Sequence, residues 1–132
     1  MKLDLKNPLD QKKALNYLNH LIEKKERVEI RKIQVPRTLN QNKFLHVCLK
    51  YFSDETGYTI NESKEILSEH AGFTYEKKGH RFRKSTSDFT KEEMVEYIEF
   101  IRNFCNDNLG IYIPNSEEYM LNQFEIERQL DL

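Results

Sequence analysis

Thr90-Lys91-Glu92-Glu93 marks the sharpest structural boundary in this chain. A threonine hydroxyl can accept from the backbone N–H three residues on, and a glutamate at that third position can reach back, which makes a capping box. Phe89 and Met94 stand where a hydrophobic staple would sit. Met94, Tyr97, Ile98, Ile101, Phe104 and Cys105 then recur at helical spacing up to Gly110, with Glu92, Glu96, Glu99 and Asp107 on other faces. Whatever else folds here must pack against one long amphipathic helix.

The other elements follow from period and punctuation. Lys2–Lys6 alternates with Leu3 and Leu5 on one side, which predicts a short strand. Asn7-Pro8-Leu9-Asp10 breaks it, and Asp10 caps a helix of roughly 11–25 with an apolar stripe of Ala14, Leu15, Leu18, Leu21 and Ile22. Arg27–Val35 predicts a β-branched strand, with a bulge near Arg31-Lys32 to keep Val28, Ile30, Ile33 and Val35 on one side, ended by Pro36. A second helix, 39–56, carries Leu45, Cys48, Leu49 and Phe52 on one face before Gly57. A third, 62–71, opens after Ile60 and Asn61 and stops at Gly72. Gly79 centres a hairpin between Phe73 and Lys84. Ile111–Ile113 predicts a short strand ended by Pro114. Asn115 with Glu118 caps a last helix, where Tyr119, Met120 and Phe124 offer apolar contact for a second subunit.

Two basic stretches carry the functional signal. The first is the entry of the second helix, Arg37-Thr38-Leu39-Asn40-Gln41-Asn42-Lys43. Arg37 and Lys43 can neutralise phosphates, and Gln41 and Asn42 can hydrogen-bond phosphate, sugar or base edges. Thr38 or Asn40 can cap the helix, whose free N–H groups also favour an anion. The same residues serve a plain capped N-terminus, and spacing alone does not separate the two. The second stretch is the hairpin, with Lys77, Lys78, Arg81, Arg83 and Lys84 interleaved with Tyr75 and Phe82. Cations that track a backbone and rings that stack on bases are what single-strand binding needs. A protected sheet edge has the same composition.

The helix entry is followed by Leu45, Cys48 and Leu49, then by Ser85-Thr86-Ser87, a helix from Lys91, and Leu109-Gly110-Ile111-Tyr112-Ile113-Pro114. This order resembles the NinB (Orf) family of lambdoid phage recombination proteins, from the N-terminal strand to about Glu118. The resemblance implies a homodimeric, non-enzymatic mediator that binds single-stranded DNA. Its implied partners are single-strand-binding protein and a phage recombinase or annealing protein. Gln41 falls where the family's motif places a glutamine implicated in DNA binding, and Arg37, Asn42 and Lys43 match its neighbours. His46 falls where lambdoid members tend to carry Trp, and this chain has none. The short acidic C-terminus also departs from the family.

At 132 residues the chain predicts one domain, 1–132, burying roughly two-thirds of its surface. No apolar run approaches a membrane span, and the N-terminus carries Asp4, unlike a signal peptide. A cytoplasmic protein without membrane contact is expected. Cys48 and Cys105 sit on apolar faces and read as small buried hydrophobes rather than a disulfide or metal pair. Residues 1–87 hold 18 Lys/Arg against 11 Asp/Glu, a net of +7, and residues 88–132 hold 3 against 11, a net of −8. Such asymmetry suggests one basic face for a polyanion, unless the charges interleave in space.

Catalysis finds little support. His20, His46, His70 and His80 are scattered, no glycine-rich phosphate loop exists, and Ser85-Thr86-Ser87 has no evident base beside it. No enzyme, no cofactor and no metal are expected. A small metal-dependent nuclease built from converging carboxylates, and a protein–protein adaptor using the acidic half, are the alternatives. The expected architecture is α+β: a β-α-β start, a central hairpin, a long capped helix and a C-terminal helix, in an intertwined dimer.

Overall fold

The computed structural model describes residues 1–33 and 39–132. The chain divides into two units, Met1–Val35 and Pro36–Leu132. The first contains one helix, α1 (Pro8–Glu23). Asn7 caps it by accepting from the Leu9 N–H at 2.9 Å, and Pro8 occupies the first helical position. The helix thus begins earlier than expected, because a proline there has no N–H to waste and a pre-set φ. The expected cap, Asp10, lies inside the helix, is buried, and accepts from the Asp4 N–H at 2.9 Å.

The expected β-α-β start is not formed. Asp4 bonds locally instead: its side chain accepts from the Lys6 N–H at 3.0 Å and its carbonyl from the Asn7 N–H at 3.0 Å. Such short-range bonds offer the backbone an alternative to a ladder. Arg27–Ile33 has no regular structure, because alternation makes a strand only when another strand lies alongside. Residues 34 and 35, the end of that expected strand, lie outside the described residues.

The second unit is built from α2 (Gln41–Thr56), α3 (Ile60–Ala71), β1 (Thr74–Lys77), β2 (His80–Arg83), α4 (Lys91–Leu109), α5 (Ser116–Leu121) and α6 (Gln123–Gln129). Asn40 caps α2, and Gly57 closes it in the left-handed region at φ 81°. Thr59 with Glu62 makes a full capping box for α3, so that helix starts two residues before the sequence estimate. The Thr90/Glu93 box opens α4 as expected, and Asn115 with Glu118 opens α5. Ile111–Ile113 is irregular rather than a strand. Ile113 is nonetheless buried, and its carbonyl accepts from Arg102 Nε at 3.1 Å.

The core lies between α2 and α4. Helix α2 contributes Phe44, Leu45, Val47, Cys48, Leu49 and Phe52, a wider stripe than the four residues expected. Helix α4 contributes Met94, Tyr97, Ile98, Ile101 and Cys105. The last helix is interrupted at Asn122, and its apolar side is used at home: the Tyr119 ring stacks on Phe44 at 5.2 Å. Of the three residues expected to meet a second subunit, Tyr119 is buried in this chain's own core, whereas Met120 and Phe124 are only partly buried. A second aromatic group, Phe73, Phe89 and Tyr97, with centroids 4.6–5.6 Å apart, ties the base of the hairpin to α4. Among the described residues the protein is mainly helical with a single two-stranded hairpin, not an α+β layer structure.

Candidate nucleic-acid interface

At the helix entry, the Asn40 side chain accepts from the Lys43 N–H at 3.1 Å, so its chemistry is spent on capping. Gln41 is half-buried, which leaves less of it for a ligand than a surface glutamine would offer. Asn42 and Lys43 are exposed beside the buried Phe44 and Leu45, and Lys43 has no ion-pair partner among the described residues. Arg37 lies outside the described residues. His46 is exposed on the outward side of α2.

The hairpin is the more instructive element. Lys78 and Gly79 turn with φ 52° and 79°, the double left-handed conformation of a two-residue hairpin loop. The register pairs Thr74 with Arg83, Tyr75 with Phe82, Glu76 with Arg81 and Lys77 with His80. Side chains alternate along a strand, so Thr74, Glu76, Arg81 and Arg83 share one face and Tyr75, Lys77, His80 and Phe82 share the other.

The first face is turned to α3. Arg81 pairs with Glu69 at 3.2 Å and donates to Thr74 Oγ1 at 3.2 Å, and Arg83 pairs with Glu65 at 3.2 Å. Just beyond β2, Lys84 pairs with Glu93 at 2.6 Å and lies over the Phe89 ring at 5.6 Å. The hydrogen bond from Lys84, followed by bonding at Thr90, holds the Glu93 carboxyl below its ordinary pKa. Ion pairs at or near the surface, as these are, are individually weak, because water and salt screen them and two long side chains must be held in one geometry. A phosphate could displace a carboxylate from them, but the exchange would gain little.

The second face is solvent-exposed and has no carboxylate on it. Tyr75 and Phe82 stack at 5.6 Å with an interplanar angle of 25°, and remain 51% and 45% exposed. Lys77 and His80 flank them, and Lys78 stands at the turn. None of the three has an ion-pair partner among the described residues. The expected set Lys77, Lys78, Arg81, Arg83 and Lys84 therefore splits in two. Lys77 and Lys78 face solvent near the rings, whereas Arg81, Arg83 and Lys84 are spent within the fold. The hairpin length and the Gly79 turn already implied this register. The i,i+4 pair Glu65 and Glu69 was the sequence signal for the arginine partners.

Charge also distributes differently from the two sequence halves. Residues 1–33 hold 9 Lys/Arg against 5 Asp/Glu, a net of +4, and residues 39–132 hold 11 against 17, a net of −6. The unit that carries the helix entry and the hairpin is acidic overall, so binding there would rest on local features rather than on a general positive field. Among the described residues, no hydrogen bond or ion pair joins the helix entry to the hairpin.

The remaining candidates are structural. Ser85 caps a one-turn 3₁₀ helix, Thr86–Asp88, and lies 2.8 Å from the Ser87 hydroxyl, which is turn chemistry. Cys48 and Cys105 are buried free thiols. Among the described residues, no three His, Cys, Asp or Glu side chains are grouped to hold a metal ion, and no helix is long and apolar enough to cross a membrane. No protein family, curated protein or solved structure matches the chain.

Proposed function

We propose that this protein binds single-stranded DNA on the outer face of its hairpin, and acts as a recombination mediator rather than an enzyme. The observation that carries the binding is the stacked, half-exposed Tyr75–Phe82 pair with Lys77, Lys78 and His80 around it and no acid on that face. Two rings at a sheet surface give bases a π platform, and unpaired ammonium groups beside them take phosphates. Lys43 and Asn42 supply a second contact at the entry of α2. The mediator role, with single-strand-binding protein and a phage recombinase as partners, rests on the resemblance of Arg37–Lys43 and Ser85–Ser87 to the NinB pattern.

The test is fluorescence anisotropy with labelled single-stranded and duplex DNA at several salt concentrations. Tyr75→Leu and Phe82→Leu keep an apolar cross-strand contact but remove the rings. Each should weaken single-strand binding by about tenfold, since a stacked base is worth ~1–3 kcal/mol. Lys77→Gln with Lys78→Gln should flatten the salt slope by about 1.4, or ~0.7 per phosphate contact. Arg83→Gln should leave the slope nearly unchanged. A steep slope lost on Arg83→Gln but not on the lysine pair would reverse the assignment of faces. No measurable DNA affinity would favour an adaptor that uses the acidic unit, and cleavage with Mg²⁺ would favour a nuclease.

A further inference from the structure

The outer face of the hairpin carries one imidazole among its ammonium groups. His80 stands directly opposite Lys77 in the ladder, beside the turn at Lys78 and Gly79. Cross-strand neighbours of this kind have Cβ atoms about 5 Å apart. All three side chains, His80, Lys77 and Lys78, are exposed, and the His80 ring makes no hydrogen bond or ion pair among the described residues. An ammonium group keeps its charge across the pH range 5 to 8, whereas an imidazole is the side chain that ordinarily gains or loses it there.

We propose that His80 is a proton-linked phosphate contact: the outer face takes up a proton as it binds a single strand, and grips it more tightly as the pH falls from 8 to 5.5. This rests on the reading of that face as the DNA site. The cause is electrostatic. In the free protein a charged His80 stands beside two ammonium groups, Lys77 and Lys78, and no carboxylate shares their face. The acids of this region lie on the other side of the sheet. Glu76 is on the hairpin itself, and Glu65 and Glu69 of α3 are engaged by Arg83 and Arg81 at 3.2 Å. A phosphate laid along the lysines reverses the balance, because it attracts the charged ring. Binding and protonation then favour one another by the same factor. The proton comes from solvent, and no bond to DNA is made or broken. None of the other histidines lies on the hairpin: His20 is on α1, His46 on the outward side of α2, and His70 on α3 against the Phe104 ring at 5.0 Å. A lysine at position 80 would meet phosphate at any pH, whereas a histidine makes that cation conditional.

The test is titration of the full-length protein with a labelled oligothymidylate at pH 8 and pH 5.5, each over several salt concentrations. Wild-type affinity should rise about two- to fivefold at the lower pH, the worth of one added exposed ion pair. The salt slope should steepen by about 0.7, one further phosphate contact on a single strand. Calorimetry at pH 6.5 in buffers of different ionisation heat reads the proton itself: wild type should take up part of one per strand. His80→Gln should lose the rise, the steeper slope and the uptake. His80→Lys should hold the tighter affinity and steeper slope already at pH 8. His46→Gln should behave as wild type. Circular dichroism at both pH values checks that each variant is folded. Binding that is flat in pH, or a pH dependence that His80→Gln leaves intact, would overturn the inference and leave the DNA site standing. A wild type with no affinity at either pH would remove the site, and the inference with it.

Discussion

Phe44→Ala should lower the unfolding free energy by about 3–5 kcal/mol, the usual cost of removing a buried ring. Phe44 is 2% exposed and stacks on Tyr119 at 5.2 Å. Tyr119 in turn donates to Glu127 Oε1 at 2.9 Å, which also accepts from Gln123 at 3.1 Å. Without Phe44, a cavity opens under α5 and the tyrosine that supplies a buried carboxylate with a donor loses its seat. Natural domains hold about 5–15 kcal/mol in all, so the variant should sit near the edge of folding. Leu121→Ala is the control: that side chain is 84% exposed on the same helix, and the change should stay within about 0.5 kcal/mol. Urea denaturation followed by circular dichroism measures both. A Phe44→Ala cost near the Leu121→Ala cost would mean that α5 and α6 do not pack on α2.

Neither cysteine should react with a thiol-specific disulfide reagent in the native protein at pH 8, and both should react at once in denaturant. Burial pushes the Cys48 thiol far up, and pushes Cys105 up to about 11. The reactive species is the thiolate, which is thus scarce as well as inaccessible. The same shift has a sign for stability. Well below the ordinary thiol pKa of about 8.5, both thiols keep their protons whether the chain is folded or not. Above that, the unfolded chain releases protons that the folded one holds, so stability falls as pH rises towards 11, the folded value at Cys105. One thiol titrating rapidly in the native state would show that its side of the core is open.

The Thr90/Glu93 and Asn115/Glu118 capping boxes were legible in the sequence because a cap is a bond between residues three apart. The glycines at 57, 72 and 110 ended helices for an equally local reason, a positive φ that only glycine adopts cheaply. The Thr59/Glu62 box obeyed the same rule and was open to the same reading. The strands at Lys2–Lys6 and Arg27–Val35 were not legible in this way. Alternation states which residues would share a face, but a ladder needs a partner strand, and nothing within the described chain supplies one.

The candidate site divides along the same line. That Gly79 turns a hairpin rich in cations and rings follows from the sequence by itself, since turn type and period are local properties. Which cations remain available was decided by tertiary packing alone. Arg81 and Arg83 lie on the face that meets α3, where Glu69 and Glu65 stand 3.2 Å away, while Tyr75 and Phe82 are left to solvent. Likewise, the apolar side of the last helix was legible, but only the fold showed Tyr119 buried against Phe44 in the chain's own core. A sequence determines what each residue can offer and where the chain must bend. Coulomb attraction and burial act between residues far apart in the chain, so only the folded arrangement determines which offers are already taken.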